Sequence, residues 1–246
     1  MLCATLKNDR YIVTEELKIS IEGLYTAFSR YPFRSRMDGC PCCVSDTDKE
    51  TIHTKQLRQL NGDDLSRYAF KAMTTWGDID DFKHYLPRIF ELLSTTEFIV
   101  DTFVVLGKLD YGKWTTWSTD EQKVIKDFLL AWWTDITKNK SYFDRDTFIE
   151  IYKLNNDIKI LLDRWEISFD DNSFKNLIDF LYNDYKDLTN KKKKFDAFDK
   201  ESIDHLLSWL RDKVDLIEKG FFHYEKVDEI FSEKISNTLY MMENVS

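Results

Sequence analysis

Glycine and proline are scarce in this chain, seven and three among 246 residues. A protein of many strands needs turn material at every hairpin, so the scarcity argues for helices. No run approaches the roughly 18–20 apolar residues of a membrane span. The longest apolar patches, "FIVDTFVVLGKL" and "FLLAWW", are short and interrupted. The opening "MLCATLKNDRYIV" has no apolar stretch of the kind a secretory leader carries, which predicts a cytoplasmic protein with reduced thiols. Also missing are a G-x-S-x-G elbow, a glycine-rich phosphate loop and an H-E-x-x-H zinc helix. Those absences remove the direct routes to an enzymatic assignment and leave an enzyme neither asserted nor excluded.

What is present is aromatic and acidic. Seven Trp, twelve Tyr and eighteen Phe provide ample material for a core. The formal charge is −9, unevenly spread. Residues 1–60 hold nine Lys/Arg against eight Asp/Glu, and residues 61–246 hold twenty-six against thirty-six. An acidic body repels phosphate backbones, which disfavours nucleic acid and favours a basic protein partner.

Apolar residues recur at helical spacing along most of the chain. Thr14 precedes a helix with Leu17, Ile21, Leu24 and Phe28 on one face. Asp63 or Asp64 is placed to cap "LSRYAFKAMTTW", with Gly77 as its stop. Asp78 opens "IDDFKHYLPRIFELLST", in which Pro87 predicts a kink or restart. A buried helix is expected over 97–109, and "YGKWTTW" is expected to be a loop. Ser118-Thr-Asp-Glu121 is a capping box ahead of the next helix. Further helices fit 146–165, 172–188, 200–218 and 226–242, with Asp199 and Ser173 as starts and Gly220 as a stop. The four lysines of "NKKKKFDAFDK" suit a solvated connection. Trp132 and Trp133 point about 100° apart on a helix, so one could enter the core and the other a groove or interface, with burial of both the preferred reading. The expected architecture is an all-α single domain over 1–246, a bundle or short helical-repeat array. A subdivision near 110–118 is allowed, and an irregular cysteine-rich loop falls near 30–50.

That loop holds "GCPCCV", three of the four cysteines in four positions. Cys40 and Cys43 stand in the C-x2-C spacing with which a tight turn aims two thiolates at one zinc ion. No second C-x2-C exists, so Cys40, Cys43 (or Cys42) and His53 form the expected zinc set, with Cys3 and His84 as distant fourth donors. Two readings compete with it: inert thiols that shape a loop, and a redox or nucleophilic pair.

A second polar cluster lies in "TWGDIDDFKHYLPR". Asp81 and His84 share a helical face, as do His84 and Arg88. Carboxylate-x-x-His occurs once, whereas paired-metal bundles use it twice, so a di-metal oxidase is not expected. The plain reading is helix capping and local pairing; the sharper one is a polar pocket of Asp81, His84 and Arg88 joined by Arg34 or Arg36. His205 and His223 lie beside apolar residues and suit packed or surface positions. Together these features favour an acidic helical interaction module, an adaptor or an immunity-type inhibitor, with a structural metal clasp. The alternatives are a metal-dependent enzyme with its site between the cysteine loop and the Asp81/His84 turn, and a helical repeat scaffold.

Overall fold

The computed structural model describes residues 13–96, 98–190 and 192–244. Those residues form twelve α-helices and no strand. In order they are α1 (Glu15–Phe28), α2 (Asp46–His53), α3 (Gly62–Lys71), α4 (Ile79–Thr95), α5 (Thr102–Tyr111) and α6 (Thr119–Asn139). There follow α7 (Arg145–Asn155), α8 (Ile158–Arg164), α9 (Ser173–Thr189), α10 (Lys200–Arg211), α11 (Val214–Tyr224) and α12 (Glu229–Asn244). The all-α architecture expected from composition and spacing is the one observed.

Helix α6 is the axis of the packing. Its start is the capping box read from the sequence: Ser118 N–H donates to Glu121 Oε2 at 3.0 Å, and Glu121 N–H to Ser118 Oγ at 3.4 Å. Every residue from Phe128 to Thr137 is buried, Trp132 and Trp133 included. A helix buried on all sides needs partners all round it. Helices α1, α7, α8 and α9 supply them, and α1 packs in turn on α4. Helices α9, α11 and α12 form the other end, with α10 on α8. The buried apolar side chains make one connected core from Leu17 to Ile235.

Several boundaries differ from expectation, and the expected helix over 200–218 is divided between α10 and α11. Asn61, not Asp63 or Asp64, caps α3; Asp64 instead accepts the Asn61 amide at 2.8 Å as the far half of a capping box. Helix α3 ends at Lys71, and the chain doubles back through Met73 at φ 61° to Gly77 at φ 70°. A Cβ at Gly77 would lie 2.9 Å from Asp81 Oδ2, so glycine serves this reversal by conformation and by size. Helix α4 runs unbroken through Pro87, whose neighbours Leu86, Ile89 and Phe90 are fully buried; that packing sustains the helix. The segment 146–165 is two helices, divided where Asn156 takes the left-handed conformation that asparagine tolerates. Gly220 stops nothing: it lies within α11, where a Cβ would come 1.9 Å from Phe174 Cζ.

Candidate metal centre and its surroundings

The segment between α1 and α2 is pinned on both sides of its cysteines. Met37 and Val44 are buried, and Gly39 bridges to Trp76. Cys40 N–H donates to the Thr75 carbonyl at 2.8 Å, and Gly77 N–H to the Asp38 carbonyl at 2.7 Å. Between the anchors, Cys43 and Val44 N–H both donate to the Cys40 carbonyl at 2.9 Å, closing a tight turn. Pro41 takes the second position of that turn, where its fixed φ is already suitable.

The turn gathers the sulfurs. Cys40 Sγ lies 2.9 Å from Cys42 Sγ, which lies 3.5 Å from Cys43 Sγ, and all three fall within 4.8 Å of one another. With Zn–S bonds of about 2.3 Å, a tetrahedral edge between thiolates is about 3.8 Å. A small opening of the turn would therefore admit a thiophilic ion. Hydrogen bonds from the Cys42 thiol and from the Cys42 and Cys43 amides hold the Cys40 pKa below the usual thiol value. The two flanking sulfurs push Cys42 up to about 11. Cys40 thus ionises before Cys42, and a cation is what would let Cys42 follow. Positive charge already stands near: Lys71 Nζ and Arg67 Nη2 both donate to the Cys43 carbonyl, and Arg67 pairs with Asp48 at 2.6 Å.

His53 is not among the group of close donors, which comprises Cys40, Cys42 and Cys43 alone among the described residues. The cause is the intervening helix: α2 rises by about 1.5 Å per residue and carries His53 to its far end. There the imidazole meets Phe33 edge-on, 5.1 Å between centroids, and burial depresses its pKa. Cys3 lies outside the described residues.

No family model matches this chain, nor does any curated protein or solved structure.

The Asp81, His84 and Arg88 side chains take separate partners. Asp78 caps α4, and Asp81 accepts the Asp78 amide at 3.0 Å. Burial raises the Asp81 pKa. Arg34 is the arginine that arrives from the loop: it bonds Asp78 at 2.7 Å and Asp80 at 2.6 Å, and stands 3.7 Å from Asp81. His84 Nδ1 lies 2.8 Å from the Tyr31 carbonyl. Arg88 turns away to the Leu60 carbonyl at 2.6 Å and Glu91 at 2.7 Å.

Two features escaped the sequence. Glu121, legible only as half of a cap, is 1% exposed and receives Tyr31 Oη at 2.5 Å, Arg30 at 2.8 Å and Lys83 at 3.2 Å. Burial alone would raise its pKa; those bonds outweigh burial and hold it near about 2. The other is a cleft of about 450 Å³ in which Phe33, His53, His84 and Tyr85 meet. Neither carries a local motif, since Arg30, Tyr31 and Phe33 of the loop after α1 meet residues of α2, α4 and α6 that lie 20 to 91 positions away.

Proposed function

We propose that this protein is a helical interaction module whose cysteine turn is a structural metal clasp. The convergence of three sulfurs on a turn already fastened to the Thr75–Gly77 reversal carries this reading. Zinc bound by Cys40, Cys42 and Cys43 would fix the 40–43 turn, and with it the backbone bonds that tie this segment to the Thr75–Gly77 reversal, binding free energy becoming folding free energy. The interaction half rests on the acidic balance of residues 61–246, which suits a basic protein partner. A metal-dependent enzyme at the Asp81/His84 turn has less support, because Asp81 is occupied in capping and no group of three close donor atoms forms there among the described residues.

The test is metal content on natively purified protein beside a Cys40→Ser/Cys43→Ser variant. One zinc per chain is expected, absent from the variant, together with a lower Tm on chelation. Metal-free protein whose Tm is indifferent to both chelator and added zinc would overturn the clasp. The partner reading is tested separately: a basic protein should co-purify and dissociate as salt rises, and binding insensitive to salt would contradict it.

A further inference from the structure

A metal ion would use the three sulfurs of the cysteine turn alike, but the fold singles out one pair among them. Cys40 Sγ and Cys42 Sγ stand 2.9 Å apart, against 3.5 Å from Cys42 Sγ to Cys43 Sγ. Cys42 is exposed; Cys40 and Cys43 are half-buried, and Cys43 packs against the core. Adjacent cysteines are poorly placed to join. Their Cα atoms lie about 3.8 Å apart across a trans peptide, below the roughly 4.4–6.8 Å that disulfides span. Pro41 separates Cys40 from Cys42 and frees that pair from the limit.

The backbone holds this pair ready. Cys40 N–H is fixed to the Thr75 carbonyl at 2.8 Å, and the Cys43 and Val44 amides close the turn on the Cys40 carbonyl at 2.9 Å. Cys42 is thus held between two anchored residues, and rotation of two side chains is all that joining the sulfurs requires. An accessible cysteine beside a second sulfur is the arrangement in which a first oxidation is resolved as a disulfide before it proceeds to sulfinic acid.

We propose that Cys40 and Cys42 form an oxidative modification site that takes hydrogen peroxide, and that the resulting disulfide expels the ion of the metal clasp. One thiolate of the pair attacks the peroxide: an S–O bond forms, the O–O bond breaks, and hydroxide leaves and takes up the proton lost by that thiol. The second thiol attacks the oxidised sulfur: an S–S bond forms, the S–O bond breaks, and water leaves. Two thiols are oxidised to one disulfide, and one peroxide is reduced to two waters. Cys43 is then the one thiol left in the turn, and a single thiolate does not retain zinc. The expulsion rests on the proposed clasp, whereas the pairing of the sulfurs stands without it.

The probe is hydrogen peroxide in small excess over the full chain, with free thiols, linked peptides and released zinc followed together. Free thiols should fall from four to two, and peptide mapping should place one disulfide between Cys40 and Cys42. About one zinc per chain should leave, and should return after reduction and addition of zinc. Cys43→Ser should still pair Cys40 with Cys42. Cys42→Ser should leave a sulfenic acid on Cys40 that dimedone traps, because the sulfur nearest to it is gone. Linkage through Cys3 or Cys43, disulfides formed mainly between chains, or zinc that stays bound once Cys40 and Cys42 are joined would each overturn the proposal. A metal-free chain that still pairs Cys40 with Cys42 would support the modification site and overturn the clasp alone.

Discussion

Three buried tryptophan and tyrosine tips lack a partner in the first half of this protein, and none lacks one among the described residues of the second. Trp117, in the first half, does donate, to the Gly112 carbonyl at 2.8 Å. After Ser118, Trp133 Nε1 donates to the Leu161 carbonyl at 2.7 Å, Trp165 Nε1 to the Ser173 carbonyl at 3.3 Å, and Tyr152 Oη pairs with Ser202 at 2.9 Å. Before Ser118, Tyr68, Trp76 and Tyr85 are equally buried and their polar atoms have no partner. Among the described residues after Ser118, the one buried side-chain atom without a partner is Asn176 Oδ1, and that residue's amide nitrogen makes three bonds. A core that satisfies itself has structure as its task. The unsatisfied core lies beneath the cysteine turn and behind the cleft.

The contrast is broken or sharpened most strongly by removing a tryptophan from each half. Trp133→Ala opens a cavity and strands the Leu161 carbonyl, so it should cost about 5 kcal/mol in urea unfolding. Trp76→Ala removes the same volume but no hydrogen bond, and about 3 kcal/mol is expected. Equal losses would mean that the bonding difference has no energetic weight.

Glu121 is the joint between the halves, tying Arg30 and Tyr31 of the loop and Lys83 of α4 to the start of α6. Its pKa falls from 4.5 in the unfolded chain to about 2 in the fold, so its contribution is complete above about pH 5. That contribution drains away as pH falls toward 2 and amounts to at most about 3 kcal/mol. Glu121→Gln should lose about 3 kcal/mol at pH 7, because Lys83 is then buried without its counter-charge, and should flatten the acid limb of the stability curve. Stability that still falls steeply between pH 5 and 2 in the variant would place the acid sensitivity elsewhere.

How much of this was legible in the sequence follows from the range of each interaction. Thr14, Asp78, Ser118 and Asp199 were readable as helix starts because a cap acts within four residues. The proximity of three sulfurs was readable because "CPCC" forces it. Gly220 was misread because the ring of Phe174, 46 positions away, decides its role. The Cys40–His53 spacing implied a shared ion only if the chain between them looped back; Ser45 and Asp48 instead nucleate a capped helix. The unpartnered tyrosines had no signal at all, since a missing partner is a property of packing.

Hydroxyl deletions test the comparison by sign. Tyr152→Phe should cost about 1 kcal/mol, stranding Ser202 Oγ inside the core. Tyr68→Phe removes a buried hydroxyl that bonds to nothing and should be neutral or stabilising by about 1 kcal/mol. Thermal unfolding of the two variants should therefore move Tm in opposite directions, or leave the second unmoved. A clear loss in Tyr68→Phe would show that a water or ligand already satisfies that oxygen.

The smallest expected effect concerns how the cysteine segment is held. Arg34 divides its guanidinium between Asp78 and Asp80, but all three side chains are more than a third exposed, so Arg34→Ala should shift the global unfolding equilibrium by no more than about twofold. Its local consequence is more informative. The Cys40 and Gly77 amides donate across the same seam, and a loss of that size should roughly double their hydrogen-exchange rates at low salt. Raising ionic strength should erase the difference between wild type and variant, because an exposed pair is screened within about 10 Å at 0.1 M salt. Exchange at the Trp133 and Trp165 indoles, remote from that pair and bonded within their own half, should stay unchanged throughout. If those indoles quicken together with Cys40, the two halves open as one unit, and the difference in their bonding has no counterpart in local stability.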